Sequence, residues 1–381
     1  MDERQYSSLA LLFEALPDPR KARGRRHGWG TILTLIGAAL VSGQRGMQAV
    51  SQWVAEHAEE LCRLLQPPRQ RLPSDSTLRR ALRVLDLDAL EQRLAGFAAG
   101  LTGAARPVAT VTGLAIDGKA VRGANAHGAA LHLVSLVRHD AACVLRQVAV
   151  TAKSNASTAV PRVLAGYDLT GTVVTMDALL TQRALARQIR HQGGHYLLVV
   201  QGNQSALYAA IEQLFTGELL VEPTDCAASV TTREKRHGRL TTRTLERTAA
   251  LNRYLDWPEV GQVLRRTYHA VDLTTGKVSH EVTYGLTSLP AATTTPAEVA
   301  RHWRGHWAIE NRVHYVRDVT LGEDACQVRA GNAPQALAAL RNALLSLLRV
   351  RGWTNIAAAL RHYGAYATRA LTLLGALPAR L

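Results

Sequence analysis

Two short apolar runs in this chain each end in a single aspartate. Asp117 closes the run in "LAIDGKAVRG", and Asp177 closes the run in "GTVVTMDA". Short apolar runs next to glycine are typical of buried β-strands, and a lone carboxylate is costly inside a sheet. We therefore expect both aspartates at an edge of the sheet, where a cation or hydrogen bonds can satisfy them. A simpler role, as the N-cap of the next helix or as a turn former, stays open for each.

The segments around these runs predict an α/β protein, with a mixed sheet of the α+β kind. Residues 1–100 read as helices, and three consecutive strand candidates from about residue 112 are close enough for a meander. Helical and strand-like segments then alternate, which indicates one mixed sheet with helices on its faces. Residues 205–290 interrupt the alternation, and we interpret them as a mostly β insertion. Helical patterns return from about residue 296.

The charge of the chain indicates its class of partner. Lys and Arg total 45 against 30 Asp and Glu, which gives a net charge of +15. A surface this basic favours a polyanion, either nucleic acid or an anionic membrane. The apolar run at 31–43 is too short to span a bilayer and the first residues lack a signal peptide, so we expect a cytoplasmic protein and no membrane partner. The four cysteines form no CxxC pair, and we expect them to be reduced.

The stretch "RHWRGHWAIENRVHYVRDVTLGED" places His302, His306, Glu310 and His314 at a spacing of four. On a regular helix this spacing stacks the side chains on one face, which predicts a metal site, a catalytic surface, or the wet side of a helix that buries its tryptophans. A zinc hydrolase helix needs a glutamate directly after its first histidine, and Trp303 stands there. Glu310 fits another chemistry, because Asp117, Asp177 and Glu310 together can hold two Mg²⁺ ions for phosphodiester cleavage.

The order of several motifs resembles the DDE transposases of bacterial insertion sequences, in the subgroup that includes the H-repeat-associated proteins. The motifs are "AIDGKAVRGA", "VVTMDALLTQ", "QGNQ", "KRHGR", "YGLTSLP" and "HWRGHWAIENRVHYVRDVTLGED". The resemblance implies a ribonuclease H-like catalytic core in which Asp117, Asp177 and Glu310 match the catalytic carboxylates. It also implies cleavage at the element's ends with two Mg²⁺ ions, which Mn²⁺ can replace, followed by attack of the freed 3′-hydroxyl on target DNA.

This resemblance implies four segments. They are a helical N-terminal DNA-binding region at 1–105, the first part of the core at 106–204, the β insertion at 205–292, and the helical remainder of the core with C-terminal helices at 293–381. Two DNA ends must be paired, so a homodimer or higher assembly on DNA is expected. A repurposed DNA-binding protein without activity and a metal-dependent nuclease without strand transfer are the rival hypotheses.

The chain departs from the related subgroup with a Tyr-Arg-Glu-Lys pattern. Trp303, His306 and Arg317 occupy the positions of its tyrosine, arginine and lysine, so a DNA-hairpin route is left open. Gln201 stands where the family often has a lysine in front of "GNQ", which removes one expected phosphate contact.

Several basic segments are candidates for DNA contact, although a merely solvated basic face is the alternative for each. Near the N-terminus they are "PDPRKARGRRHG" and the predicted helix with Arg79, Arg80 and Arg83. The predicted hairpin around a His-Gly turn adds Arg233, Lys235, Arg236, His237 and Arg239. Basic side chains in these segments would neutralise phosphates and make affinity fall with salt. Beside Glu310, His306, Asn311 and Arg317 are expected near the DNA.

Overall fold

A computed structural model describes residues 7–103, 111–126, 129–150, 155–216, 228–250, 252 and 254–378. The chain divides into two compact units, each built from separate stretches of sequence. Unit 1 comprises Met1–Val108, Gly118–Ala159 and Ile309–Leu381, and unit 2 comprises Ala109–Asp117 and Val160–Ala308. The first strand of the sheet crosses from unit 2 into unit 1 directly after Asp117.

The described residues form the following helices and strands, numbered in chain order. The α-helices are α1 Leu9–Ala15, α2 Trp29–Val41, α3 Met47–Glu56, α4 Ala58–Leu65, α5 Asp75–Val84, α6 Leu87–Gly103, α7 Ala156–Leu164, α8 Arg183–His191, α9 Ser205–Thr216, α10 Pro296–Gly305, α11 Ala333–Val350, α12 Ile356–Gly364 and α13 Ala367–Leu374. The strands are β1 Thr112–Ala126, β2 Ala129–Arg138, β3 Val144–Ala149, β4 Thr172–Met176, β5 His195–Val200, β6 Ala228–Arg236, β7 Arg239–Thr248, β8 Gln262–Asp272 and β9 Val278–Thr287. The predicted mixed α/β class is confirmed.

In unit 2 the first half of β1, β4 and β5 are parallel neighbours, and the apolar run of β4 is buried along its whole length. The segment predicted as a mostly β insertion contains α9 and the four strands β6 to β9. It also continues the same sheet, because β9 pairs antiparallel with β5 and is followed in space by β8, β7 and β6. Leu264 of β8, Leu245 of β7 and Trp303 of α10 share one buried apolar cluster.

In unit 1 the second half of β1 is followed in space by β2 and β3, which confirms the predicted meander. The apolar helices α2 and α11 are buried along most of their lengths, and α11 packs against both α6 and β3. Cys62, Cys143 and Cys326 carry free thiols as expected, and Cys226 lies outside the described residues. Across the described stretches, each helix is too short or too polar to cross a membrane.

Candidate active site

Asp117 and Asp177 lie side by side at one edge of the unit 2 sheet. β1 and β4 run parallel, and their last paired residues are Ile116 and Met176. The residue after each of these is the aspartate, so the two aspartates lie side by side where the pairing of β1 with β4 ends. Both residues are half-buried. The prediction of a strand end is correct for Asp177, which directly follows β4, and wrong for Asp117, because β1 continues past it to Ala126.

Burial and the neighbouring carboxylate together disfavour the charged form of Asp177. Burial is the larger cause that raises its pKa, and the negative charge of Asp117 adds to it. The backbone N–H of Leu180 opposes this effect, because it donates to Oδ1 of Asp177 at 3.1 Å. That bond caps the short 3₁₀ turn Ala178–Leu180, so the simpler role of an N-cap is also present. Two adjacent oxygen donors whose charges repel one another form a fitting donor set for a hard divalent cation.

The "QGNQ" motif braces the turn that follows Asp177. Nδ2 of Asn203 donates to the carbonyl oxygen of Ala178 at 2.7 Å, and Nε2 of Gln204 donates to that of Thr181 at 3.0 Å. Hydrogen bonds from two amide side chains fix the backbone of the segment that positions the aspartate. Sequence reasoning treated this motif only as a phosphate contact, and its positioning role was missed.

His306 is held against β4 next to Asp177. Its Nδ1 lies 2.9 Å from Oγ1 of Thr175, which also lies 3.1 Å from the carbonyl oxygen of Leu114. The single hydroxyl hydrogen of Thr175 can serve only one of the two acceptors. When it serves the Leu114 carbonyl, Nδ1 of His306 carries the hydrogen and Nε2 is left as an acceptor. Thr175 and Asp177 point to the same side of β4, because side chains alternate along a strand.

The region around Glu310 departs from the regular helix expected for it. α10 ends at Gly305, and π-helical turns follow at Ile309–His314 and Val316–Thr320. The prediction that these four side chains stack on one face of a straight helix is therefore wrong. Glu310 and Asn311 belong to unit 1, where both are exposed on the first of these turns.

The histidines and tryptophans of this stretch have different environments. His302 is buried, and burial followed by the charge of Arg301 lowers its pKa to about 4, which makes it a neutral structural residue. Trp303 is buried against Gly285, where a side chain would clash with the indole ring. Trp307 is 49% exposed, so the alternative of a helix that buries its tryptophans does not describe this one. Among the described residues, no group of three or more His, Cys, Asp or Glu is arranged to hold a metal ion.

Arg317 does not have the exposed position expected of a DNA contact. Its side chain is fully buried, and Nη2 lies 2.6 Å from Oε1 of Glu323. Arg341 approaches the same carboxylate at 3.4 Å, and Lys119 forms an ion pair with Asp318 and lies 4.0 Å from Glu323. Burial alone would raise the pKa of Glu323, but Arg317 and Arg341 outweigh it and hold the pKa below its usual value. The structure therefore gives Arg317 a structural role in place of the predicted one.

Most of the other basic candidates are exposed, whereas Arg20 of "PDPRKARGRRHG" is half-buried and pairs with Asp18 at 2.9 Å. Arg79, Arg80 and Arg83 lie on the open side of α5, with Arg79 paired to Asp75 at 2.7 Å. The predicted hairpin is present, because β6 and β7 are joined by the two residues His237 and Gly238. Both have positive φ, 49° and 72°, the conformation that matches the twist of a tight hairpin. The side chains named at this hairpin all face solvent to a large extent.

Two family models match the chain. The model described as "Transposase DDE domain" matches residues 109–348, and the one described as "DDE_Tnp_1-associated" matches residues 11–98. The first model therefore spans the strands with Asp117 and Asp177 as well as the turn with Glu310.

Curated relatives cover much of the same length. A "Putative transposase YncI" of Escherichia coli O157:H7 is 29% identical over 350 residues, 90% of this chain and 87% of that protein. An "H repeat-associated putative transposase YhhI" of Escherichia coli K12 is 30% identical over 62% of this chain and 63% of that protein. An "Uncharacterized protein in dhlA 3'region" of Xanthobacter autotrophicus is 34% identical over 64% of this chain and 80% of that protein. A solved structure titled as a piggyBac transposase synaptic complex with hairpin DNA aligns over 98% of this chain and 82% of that chain, at a TM-score of 0.46 and 11% identity, a likeness too weak to add to these matches.

Proposed function

Because this chain belongs to the DDE transposase family, we propose that it cleaves DNA at the ends of an insertion sequence and transfers the freed 3′-hydroxyl to target DNA. The observation that carries the proposal is the position of Asp117 beside Asp177, directly after the last paired residues of two neighbouring parallel strands. A half-buried pair of repelling carboxylates is unfavourable for folding alone, and such strained arrangements are concentrated at functional sites. We assign Glu310 as the third catalytic carboxylate from its match to the family.

The proposed core is ribonuclease H-like. Its support is the arrangement of β1 to β5, in which a three-stranded meander precedes two parallel strands that alternate with helices. In this assignment β6 to β9 form an insertion between the second and third carboxylates. The four-segment division of the chain follows from the same assignment.

The proposed chemistry has two phosphoryl transfer steps. Attack by water breaks the bond between phosphorus and the 3′-oxygen, which leaves a 3′-hydroxyl on one side and a 5′-phosphate on the other. That 3′-oxygen then attacks a phosphorus of the target strand and displaces its 3′-oxygen. When bound, Mg²⁺ or Mn²⁺ supplies stabilisation of negative charge on the attacking and leaving oxygens.

Asp117, Asp177 and Glu310 would hold the metal, with Asp177 kept in place by its bond to the Leu180 N–H and by the braced turn after it. Protonation of Asp177 competes with metal binding, since its raised pKa favours the neutral acid. His306, anchored on Thr175 two residues before Asp177, is proposed to lie next to the scissile strand.

The proposed partner is DNA, both the ends of the element and its target. The exposed arginines of α5 and, on the basic hairpin, Arg233 and Lys235 are the proposed contacts, together with Asn311. Because two DNA ends must be held during strand transfer, the active species is proposed to contain at least two copies of the chain.

The test is cleavage and joining of labelled DNA from the borders of the protein's own locus in Mg²⁺ or Mn²⁺. Wild type is compared with Asp177→Asn and Glu310→Gln, and with Asp256→Asn as the matched control on an exposed aspartate. Cleavage at a fixed border that only the first two substitutions abolish, with DNA binding retained, is the expected result. Border binding by wild type without any cleavage would favour a repurposed DNA-binding protein, and cleavage without joining would favour a nuclease.

A further inference from the structure

The end of the β6–β9 ribbon that contains the His237–Gly238 turn has two faces with different charge. We call this end the outer part of the ribbon. Residues directly opposite one another in an antiparallel ladder share a face, and successive residues alternate between faces. We call the two sides the α10 face, where Trp303 of α10 packs on Leu245 and Leu264, and the α9 face, where Phe215 and Tyr208 of α9 pack on Tyr284. The strand register assigns each outer side chain to one of them.

On the outer α10 face, acidic and basic residues balance and pair. Its outer residues are Arg236, Arg239, Asp272, Glu234, Thr241, Ala270, Ser279, Thr232, Arg243, Tyr268 and Glu281. Glu234 lies 3.1 Å from Arg243 and 2.7 Å from Arg304 of α10, and Arg239 lies 3.5 Å from Asp272. This face therefore offers a polyanion little net positive charge.

The outer α9 face contains no acidic residue. Its outer residues are Lys235, Leu240, Val271, Val278, Arg233, Thr242, His269, His280, Thr231, Thr244, Thr267 and Val282. Arg233, Lys235 and His280 are exposed, and His269 lies directly opposite His280. Within the part of the chain that the structure describes, neither Arg233 nor Lys235 forms an ion pair. Basic side chains among threonine hydroxyls are the donors that proteins direct at phosphate oxygens.

We propose that the outer α9 face is a docking surface for the sugar-phosphate backbone of duplex DNA. Four strands about 4.8 Å apart span about 14 Å before side chains are added. This exceeds the width of about 12 Å of the major groove, which admits an α-helix or a two-stranded ribbon. The face is too wide to enter the groove, and it therefore lies across the sugar-phosphate backbone of the duplex. There it contributes to affinity and orientation more than to the reading of sequence.

This inference rests on the proposed function, which identifies the polyanion as DNA. It assigns the basic residues of the hairpin to two groups, one on each face. Arg233 and Lys235 contact DNA from the α9 face. Arg236, which directly follows Lys235, and Arg239, four residues beyond Lys235, point to the opposite face, where Arg239 is already paired. Neither residue type nor exposure distinguishes these two pairs, because all four residues are basic and all four are exposed.

The test compares two double substitutions that remove the same charge from the same hairpin. Binding of a labelled border duplex to the full chain is measured by fluorescence anisotropy in EDTA, which prevents cleavage, at several salt concentrations. For Arg233→Ala with Lys235→Ala, we expect binding to weaken by about tenfold or more and the salt slope to fall by about 2, since each lost phosphate contact removes about 0.9. For Arg236→Ala with Arg239→Ala, we expect a loss below about twofold, because no phosphate contact is removed.

A second measurement uses neighbouring positions on β9. A photo-cross-linking amino acid in place of Val282, on the α9 face, should cross-link to the duplex, whereas one in place of Glu281, on the α10 face, should not. Equal losses from both double substitutions, or cross-linking from position 281 alone, would overturn the proposal. If wild type cleaves its borders but the α9-face pair has no effect, this inference fails and the proposed function stands. If wild type binds no duplex, both fail.

Discussion

The Oγ1 hydroxyl of Thr175 lies between two groups, 2.9 Å from Nδ1 of His306 and 3.1 Å from the carbonyl oxygen of Leu114. One buried hydroxyl thus links the imidazole to β1 and β4, the two strands whose last paired residues directly precede Asp117 and Asp177. We infer that Thr175 is a positioning residue, which fixes the tautomer and orientation of His306 without contact to DNA.

Thr175→Val should reduce cleavage much more than DNA binding. Valine keeps the shape and strand preference of threonine but leaves the Leu114 carbonyl without its donor, at a cost of about 1–3 kcal/mol in stability. The specific readout is a double-mutant cycle with His306→Ala, measured as the rate of border cleavage. If Thr175 acts through His306, the second substitution adds little to the first. Fully additive losses would show that Thr175 is merely structural.

Asp177→Asn should stabilise the protein while it abolishes cleavage. Because the pKa of Asp177 is raised in the folded state, the fold binds more protons than the unfolded chain, and stability is lost as the pH rises above the usual value of 3.8. Asparagine removes this loss and keeps an oxygen that can accept from the Leu180 N–H. Thermal unfolding near pH 7 without divalent metal should show a higher Tm for the variant.

Thermal unfolding with added metal is a second measurement on Asp177. Mn²⁺ should raise the Tm of wild type and leave that of Asp177→Asn nearly unchanged, because a ligand that binds only the folded state stabilises it. Asp177→Ala, which also loses the cap, should be less stable than Asp177→Asn by about 0.5–2 kcal/mol. A lower Tm for Asp177→Asn than for wild type would contradict the electrostatic account of this pair.

The sequence predicted the parts of the fold and site whose signals are local. Asp177 after β4 and the His237–Gly238 turn follow from short patterns of apolar, acidic and glycine residues, and the structure places them as expected, whereas β1 continues past Asp117. The role of Arg317 was not predictable in this way. Its partner Glu323 is six residues away on an irregular segment, and Arg341 and Lys119 are brought to the same carboxylate from other elements.

The irregular turns around Glu310 were not predictable for a related reason. A spacing of four residues fits a π-helical turn nearly as well as a regular helix, so the sequence pattern does not distinguish them. Which face of a strand a basic residue occupies likewise depends on register. The register became clear only once the partners of β6 to β9 were known.

Glu323→Gln should strongly destabilise unit 1. Glu323 is fully buried, and its charge compensates Arg317 and Arg341, which are also buried. Removing one partner of a buried ion pair leaves an uncompensated charge and costs about 3–5 kcal/mol. The measurement is the midpoint of urea unfolding. The control is Glu234→Gln, which breaks a more exposed pair with Arg304 and should cost at most about 1 kcal/mol. Similar shifts from both would refute the structural role given to Arg317.

Glu91→Gln should remove a pH dependence of stability near neutrality. Glu91 of α6 lies next to β3 and α11 and accepts a hydrogen bond from Nε2 of Gln147 at 2.8 Å. Its pKa is raised to about 7, mainly by burial. A raised carboxyl pKa means that stability is full at low pH and is lost as the pH rises from about 4.5 through about 7. Glutamine stays neutral and can still accept from Gln147.

The variant should therefore match wild type in urea midpoint near pH 5 and exceed it near pH 8. Arg317 lowers the pKa of Glu91 and Asp88 raises it, so both charges must be unchanged in the comparison. Glu56→Gln, at an exposed position of α3, is the matched control, and its unfolding midpoint should keep the wild-type dependence on pH because Glu91 and its charged neighbours remain. Parallel pH profiles for Glu91→Gln and wild type would show that Glu91 is ionised throughout this range and that Gln147 and its neighbours stabilise the charge.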